Sequence, residues 1–132
     1  MAFLIDTSLL VRADRGELQD PLSAVFESQL SVSVITLAEL RRGVLMASPE
    51  SRAKRVAFVG TLVSKLTMIP IDERVAEVHA HLWSQLKEVG KPVPENDLWI
   101  ASTAIARGLP VATLDRKHFS RIPGLEVLVP DS

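Results

Sequence analysis

Four carboxylates occupy positions where a folded chain can gather negative charge. Asp6 follows the apolar run AFLI (residues 2–5), Glu39 lies in TLAELRRG (36–43), Asp97 in NDLWIA (96–101), and Asp115 closes ATLD (112–115). Carboxylates brought within a few ångströms in apolar surroundings cannot all stay ionised; they take up protons or bind a cation. With no cysteine in the chain and no well-spaced histidine pair, such a set of hard oxygen donors favours Mg²⁺ or Mn²⁺ over zinc. Each acid also has a plainer reading. Asp6 can end a strand and cap the next helix, a job Thr7 and Ser8 suit equally; Asp97 can be a cap, with Asn96 as the alternative. Glu39 can be a solvated helix residue and Asp115 a turn former. Singly, the structural reading leads, and only a shared location reverses it.

The elements that carry the acids supply that location. Five short apolar runs recur: AFLI, SVSVI (31–35), TMIPI (67–71), PVATL (110–114) and LEVLV (125–129). Helical periodicity fills the gaps between the first four. Near-continuous apolar strands alternating with helices mark a parallel sheet covered on both faces, so the expected fold is a three-layer α/β/α sandwich with a five-stranded, mainly parallel sheet. Ser48-Pro49 reads as the start of a helix with Val56, Val59, Leu62, Val63 and Leu66 on its apolar stripe. Asp72 caps a helix that ends at Gly90, and a further helix runs from near Asn96-Asp97 to Gly108. In open parallel sheets, strand ends and the helix starts after them share one edge, where ligands bind at the reversal of strand order. All four acids fall at that edge, provided the helix of Asp97 enters from there. The residues three, four and seven beyond Asp97 are Ile100, Ala101 and Ala104, so this carboxylate heads an apolar stripe and points at the sheet.

The rest of the chain bounds the function. Its 132 residues suit one domain spanning 1–132, and 47% hydrophobic with 23% charged residues is globular composition. A net charge of -1, from 15 Lys and Arg against 16 Asp and Glu, gives no bulk attraction for nucleic acid. Any such attraction is local, and Arg41, Arg42, Arg116, Lys117 and Arg121 flank the acids as a basic rim. Without cysteine, disulfides and thiol catalysis are excluded. No apolar run approaches the roughly 20 residues of a membrane span, and Asp6 interrupts the first, so neither a membrane nor a secretory signal is expected and the location is cytoplasmic. Asp14, Glu17 and Asp20 sit in a loop-like stretch, while Glu73, Glu77 and Glu88 decorate a helix. His79 and His81, two apart on a helix, face different ways; for His118 a packing or surface role is preferred over one in the site. Trp83 and Trp99 read as core or dimer-contact residues before base-stacking platforms.

In their order and spacing, FLIDTSLL (3–10), ITLAELRRG (35–43), NDLWIASTAIARGLPVATLD (96–115) and HFSRIPGLEVLVP (118–130) resemble the PIN-domain ribonucleases, most closely the VapC-type toxins of bacterial toxin–antitoxin pairs. The resemblance covers nearly the whole chain. It implies a PIN-like fold in which Asp6, Glu39, Asp97 and Asp115 form the catalytic metal site, with Thr113 beside them and Asn96 in support. It further implies a Mg²⁺- or Mn²⁺-dependent endoribonuclease toxin acting on RNA, leaving 5′-phosphate and 3′-hydroxyl ends, as a homodimer inhibited by a short cognate antitoxin. Many relatives carry a basic residue where this chain has Leu114, which leaves RNA contacts near Asp115 open. A PIN-like module that binds RNA or protein without turnover is the alternative, and the presence of all four acids argues against it. A phosphorylatable receiver domain fits less well: Asp6 is followed by Thr7 instead of a second acid, and the fifth strand ends Val129-Pro130 with no lysine. A haloacid-dehalogenase-type phosphatase wants a second Asp where Ser8 stands.

Overall fold

In the computed structural model, which describes residues 2–16 and 29–129, the run AFLI forms β1 (Ala2–Ile5). Successive side chains of a strand point to opposite faces, and β1 uses this fully. Leu4 packs into one apolar cluster with Leu82, Leu98, Ile100 and Phe119, whereas Ile5 packs into another with Leu10, Leu30, Val32 and Leu62. A sheet with a core on each face is the middle of three layers. The other strands are β2 (Gln29–Ser33), β3 (Thr67–Ile69), β4 (Val111–Ala112) and β5 (Val127–Leu128). All pairings are parallel, in the order β3-β2-β1-β4-β5. The chain steps outward from β1 through β2 to β3, then returns to place β4 on the other side of β1. Strand order therefore reverses between β1 and β4.

β1 matches its apolar run, β2 is shifted along its run, and β3, β4 and β5 are shorter than theirs. The second run was expected over 31–35, but β2 spans Gln29–Ser33, because the Ser33 hydroxyl accepts a 3.0 Å hydrogen bond from Ile35 N and caps a helix that takes Val34 and Ile35. β3 stops at Ile69, where Pro70 has no N–H to continue the ladder.

Among the described residues there are six helices: α1 (Thr7–Asp14), α2 (Val34–Met46), α3 (Pro49–Lys65), α4 (Glu73–Val89), α5 (Glu95–Arg107) and α6 (Arg116–Phe119). Asp72 caps α4 through Val75 N, and Gly90 and Gly108 end α4 and α5 in the left-handed conformation that favours glycine. Asp14 ends α1 and so is helical, not part of a loop; Glu17, Asp20 and Pro130 lie outside the described residues. On α3 the apolar stripe is narrower than expected: Val59, Leu62 and Leu66 are buried, whereas Val56 and Val63 face solvent. α4 and α5 run antiparallel as a hairpin, held at one end by Arg74 Nε donating to Ala106 O (2.9 Å) and an Arg107–Asp72 ion pair (3.1 Å). At the other end the turn 90–94 leads into the first turn of α5, which carries Asp97. No helix of the described residues is long and apolar enough to cross a membrane.

Candidate active site

Asp6 occupies the N-cap position of α1 but does not cap it. Its backbone is extended (φ -76, ψ 152), and its side chain makes no cap hydrogen bond. The carboxylate is 3% exposed, and Oδ2 accepts from Thr113 Oγ1 (2.7 Å) and from Ser8 Oγ (2.8 Å). Both hydroxyls work twice. Thr113 Oγ1 accepts from Asp115 N (2.9 Å), and Ser8 Oγ accepts from Leu114 N (3.2 Å). The ends of β1 and β4 are thereby tied together around one buried carboxylate oxygen, leaving Oδ1 for a ligand. Ser8 was expected only to start the next helix; it belongs to the site.

Glu39 projects from the second turn of α2, where its Oε1 accepts from Thr7 Oγ1 (2.7 Å), itself 3.1 Å from the buried Thr36 Oγ1. Thr7 thus orients a second acid. Asp115 follows β4 and does cap its helix: Oδ1 accepts from His118 N (3.1 Å), and Oδ2 lies 2.8 Å from His118 Nδ1. Burial pushes the Asp115 carboxyl up, but the two His118 hydrogen bonds and the charges of His118 and Lys117 outweigh it and hold the group below its usual range. The preference for a packing or surface role at His118 is corrected here, since its ring faces Asp115.

Asp97 is the third residue of α5, three places past the N-cap Pro94. Its pKa is pushed up to about 6, first by burial and then by the charges of Asp6, Asp115 and Glu39, with His118 pulling the other way. One carboxyl therefore senses the other three. Ligand atoms of Asp97, Asp115 and His118 come within 4.8 Å of one another. A group of hard oxygen donors in which burial, and then mutual repulsion, raises the pKa of one member is the arrangement a divalent cation neutralises. Among the described residues, Asp97, Asp115 and His118 are the group whose ligand atoms converge closely enough to share an ion, and Asp6 and Glu39 act on Asp97 through their charge.

The flanking residues divide. Thr113 is buried on Asp6. Asn96 sits half-buried beside Asp97, and no hydrogen bond among the described residues joins its side chain to the acids. Arg41, Arg42, Arg116 and Lys117 are exposed, whereas Arg121 donates to Pro92 O. Leu114 packs against the Ile5 cluster. His79 stacks on Trp99 (ring centroids 3.7 Å apart) and bonds Glu95, away from the acids.

Comparison with known proteins gives a consistent picture. The family model described as PIN domain matches residues 3–125. Ribonuclease VapC4 of Mycobacterium tuberculosis is 39% identical over 126 residues, which are 95% of this chain and 94% of that protein. Ribonuclease VapC5 of the same organism is 39% identical over 115 residues, 86% of this chain and 83% of its own length. Among solved structures, VapBC2 from Rickettsia felis bound to a DNA fragment from the promoter superimposes with a TM-score of 0.90 at 27% identity, covering 99% of this chain and 100% of that one. The VapBC-5 complex from Mycobacterium tuberculosis gives 0.76 at 35% identity, covering 99% and 98%.

Proposed function

The chain belongs to the PIN-domain family, among the VapC ribonucleases, and from that premise we propose that it is an endoribonuclease toxin that hydrolyses RNA phosphodiester bonds with Mg²⁺ or Mn²⁺ and is inhibited by a cognate antitoxin. The observation that carries the chemistry is the convergence of Asp6, Glu39, Asp97 and Asp115 at the β1–β4 reversal, registered in the raised pKa of Asp97. A bound divalent cation supplies a water of lowered pKa and offsets charge on the phosphate oxygens.

The chain's own groups do the positioning. Thr113 and Ser8 fix the Asp6 carboxylate at the end of a buried strand by committing one of its oxygens. Thr7 holds Glu39 and His118 holds Asp115, each by a short hydrogen bond that selects one orientation of a carboxylate. Asp97, its pKa pushed up to about 6 by burial and then by the neighbouring acids, holds a proton below that pH that a bound cation would displace. Arg41, Arg42, Arg116 and Lys117 ring the acids and bind phosphates on either side of the scissile bond. Products carry 5′-phosphate and 3′-hydroxyl ends, the active form is a homodimer, and the protein acts in the cytoplasm, where its RNA is.

The test is to expose total RNA to wild-type and Asp97→Asn protein with Mg²⁺ or Mn²⁺ and map new 5′ ends. Cleavage by the wild type that EDTA stops and Asp97→Asn removes is the expected result. Equal cleavage by both proteins would sink the proposal. Co-purification with the product of a short adjacent reading frame, and loss of cleavage in that complex, tests the antitoxin.

A further inference from the structure

A groove between the end of α4 and the start of α5 takes no part in the site described above. It encloses about 340 Å³, and its walls include Trp83, Lys87, Lys91, Pro92, Glu95 and Leu98. Glu95 and Leu98 share the first turn of α5 with Asp97, so along the helix axis the groove lies within about one turn, roughly 5 Å, of Asp97, on a different face of that helix. Trp83 keeps 49% of its surface exposed, which removes it from the core, where the sequence had offered it a place. The Lys87 ammonium lies over one face of its ring, 4.8 Å from the centroid, so a stacked base takes the other face or displaces it. Lys91 is exposed on the adjoining turn, and Arg121 reaches the same turn through its bond to Pro92 O. The one acid in the wall, Glu95, is engaged at 2.8 Å by His79 Nε2.

We propose that this groove binds a nucleotide of single-stranded RNA next to the scissile phosphodiester, its base stacked on the Trp83 indole and its phosphates held by Lys87 and Lys91. The proposal rests on the endoribonuclease reading and gives that site a substrate contact. An aromatic face edged by cations is the combination that single-stranded nucleic acid selects, because every base has a face to stack and every nucleotide a charge to neutralise. A protein partner fits less well, since the centres of protein interfaces are depleted of lysine. The groove also answers a need of the site: four acids repel a polyanion, and a positive anchor one nucleotide away offsets that repulsion.

The test uses cleavage-deficient Asp97→Asn protein and fluorescein-labelled single-stranded RNA in Mg²⁺, with binding followed by anisotropy. Adding Trp83→Ala is expected to weaken binding about tenfold, Trp83→Phe to restore most of it, and Lys87→Glu to weaken it while flattening its salt dependence. Placed in the otherwise wild-type chain, Trp83→Ala is expected to raise KM for RNA and leave hydrolysis of the small diester bis-p-nitrophenyl phosphate unchanged. RNA affinity unmoved by both Trp83→Ala and Lys87→Glu overturns the groove. So does a change of oligomeric mass on Trp83→Ala with RNA affinity intact, which makes the face an interface between copies. If Trp83→Ala does not fold, Lys87→Glu and Trp83→Phe decide alone. A wild-type protein that cleaves nothing yet binds RNA through Trp83 refutes the nuclease reading and keeps the groove, whereas cleavage with binding indifferent to Trp83 and Lys87 does the reverse.

Discussion

Two hydroxyls donate to the same oxygen of Asp6, and each accepts a backbone N–H from the far side of the sheet reversal. Replacing Thr113 with valine keeps the shape, removes a donor from a buried carboxylate and leaves the Asp115 N–H without its acceptor. Loss of such an orienting partner lowers activity or metal affinity about 10–100-fold. Thr113→Val is therefore expected to weaken Mn²⁺ binding by calorimetry and lower kcat to that extent, with Thr113→Ser restoring both. Full activity in Thr113→Val would show that the strand alone positions Asp6. The raised pKa of Asp97 sets the pH response: as pH falls through about 6 the carboxyl protonates and cation binding weakens, so cleavage is expected to fall below that value. In metal-free protein the sign for stability is opposite. Between the ordinary value of 3.8 and about 6 the folded state holds a proton that the unfolded state has lost, so stability declines as pH rises across that window. Asp6 and Asp115 were legible in the sequence because strand ends are; the hydroxyls of Thr7 and Ser8 were not, because the same residues serve equally as helix starters. His118 was passed over although it stands three residues from Asp115 at a helix start, which was the available signal.

At the scale of elements, the junction of β2 and α2 decides where Glu39 points. Val34 and Ile35 are β-branched and follow an alternating run, so strand propensity extends the run to Ile35. The buried Ser33 hydroxyl overrides this by satisfying Ile35 N at the first turn, and helix begins at Val34. Such a choice depends on one hydrogen bond worth about 1 kcal/mol, below the resolution of propensity. Ser33→Ala is expected to cost about 0.5–2 kcal/mol in urea unfolding. It is also expected to lower activity, because the turn it frays sets the phase of Glu39 against Thr7. Unchanged stability would mean that packing of α2 fixes the junction without the cap. Elsewhere the punctuation was readable: Asp72, Gly90 and Gly108 bound their helices as expected, since a capping carboxylate and a left-handed glycine leave unambiguous marks.

For the whole molecule, a net charge of -1 conceals an internal division, with Asp6, Asp115 and Glu39 close enough to Asp97 for their charges to add to the rise in its pKa. Parallel strands in the order β3-β2-β1-β4-β5 impose that concentration, because β1 and β4 end side by side and no strand intervenes to separate Asp6 from Asp115. Folding without a cation must therefore work against the burial and the repulsion that raise the Asp97 pKa, and a ligand that binds only the folded state adds stability of RT ln(1 + [L]/Kd). At a concentration one hundred times Kd that is about 2.7 kcal/mol, or a rise of about 10 °C in Tm for a domain of this size. Thermal unfolding at pH 7.5 is accordingly expected to move upward with Mn²⁺ or Mg²⁺ and to return with EDTA. Asp97→Asn separates the two contributions. Removing one negative charge is expected to raise the metal-free Tm by about 2–6 °C while abolishing most of the rise on adding cation. A variant that is less stable than wild type without metal, or that responds to the cation as strongly, would show that Asp97 serves the packing of α5 and not the gathering of charge.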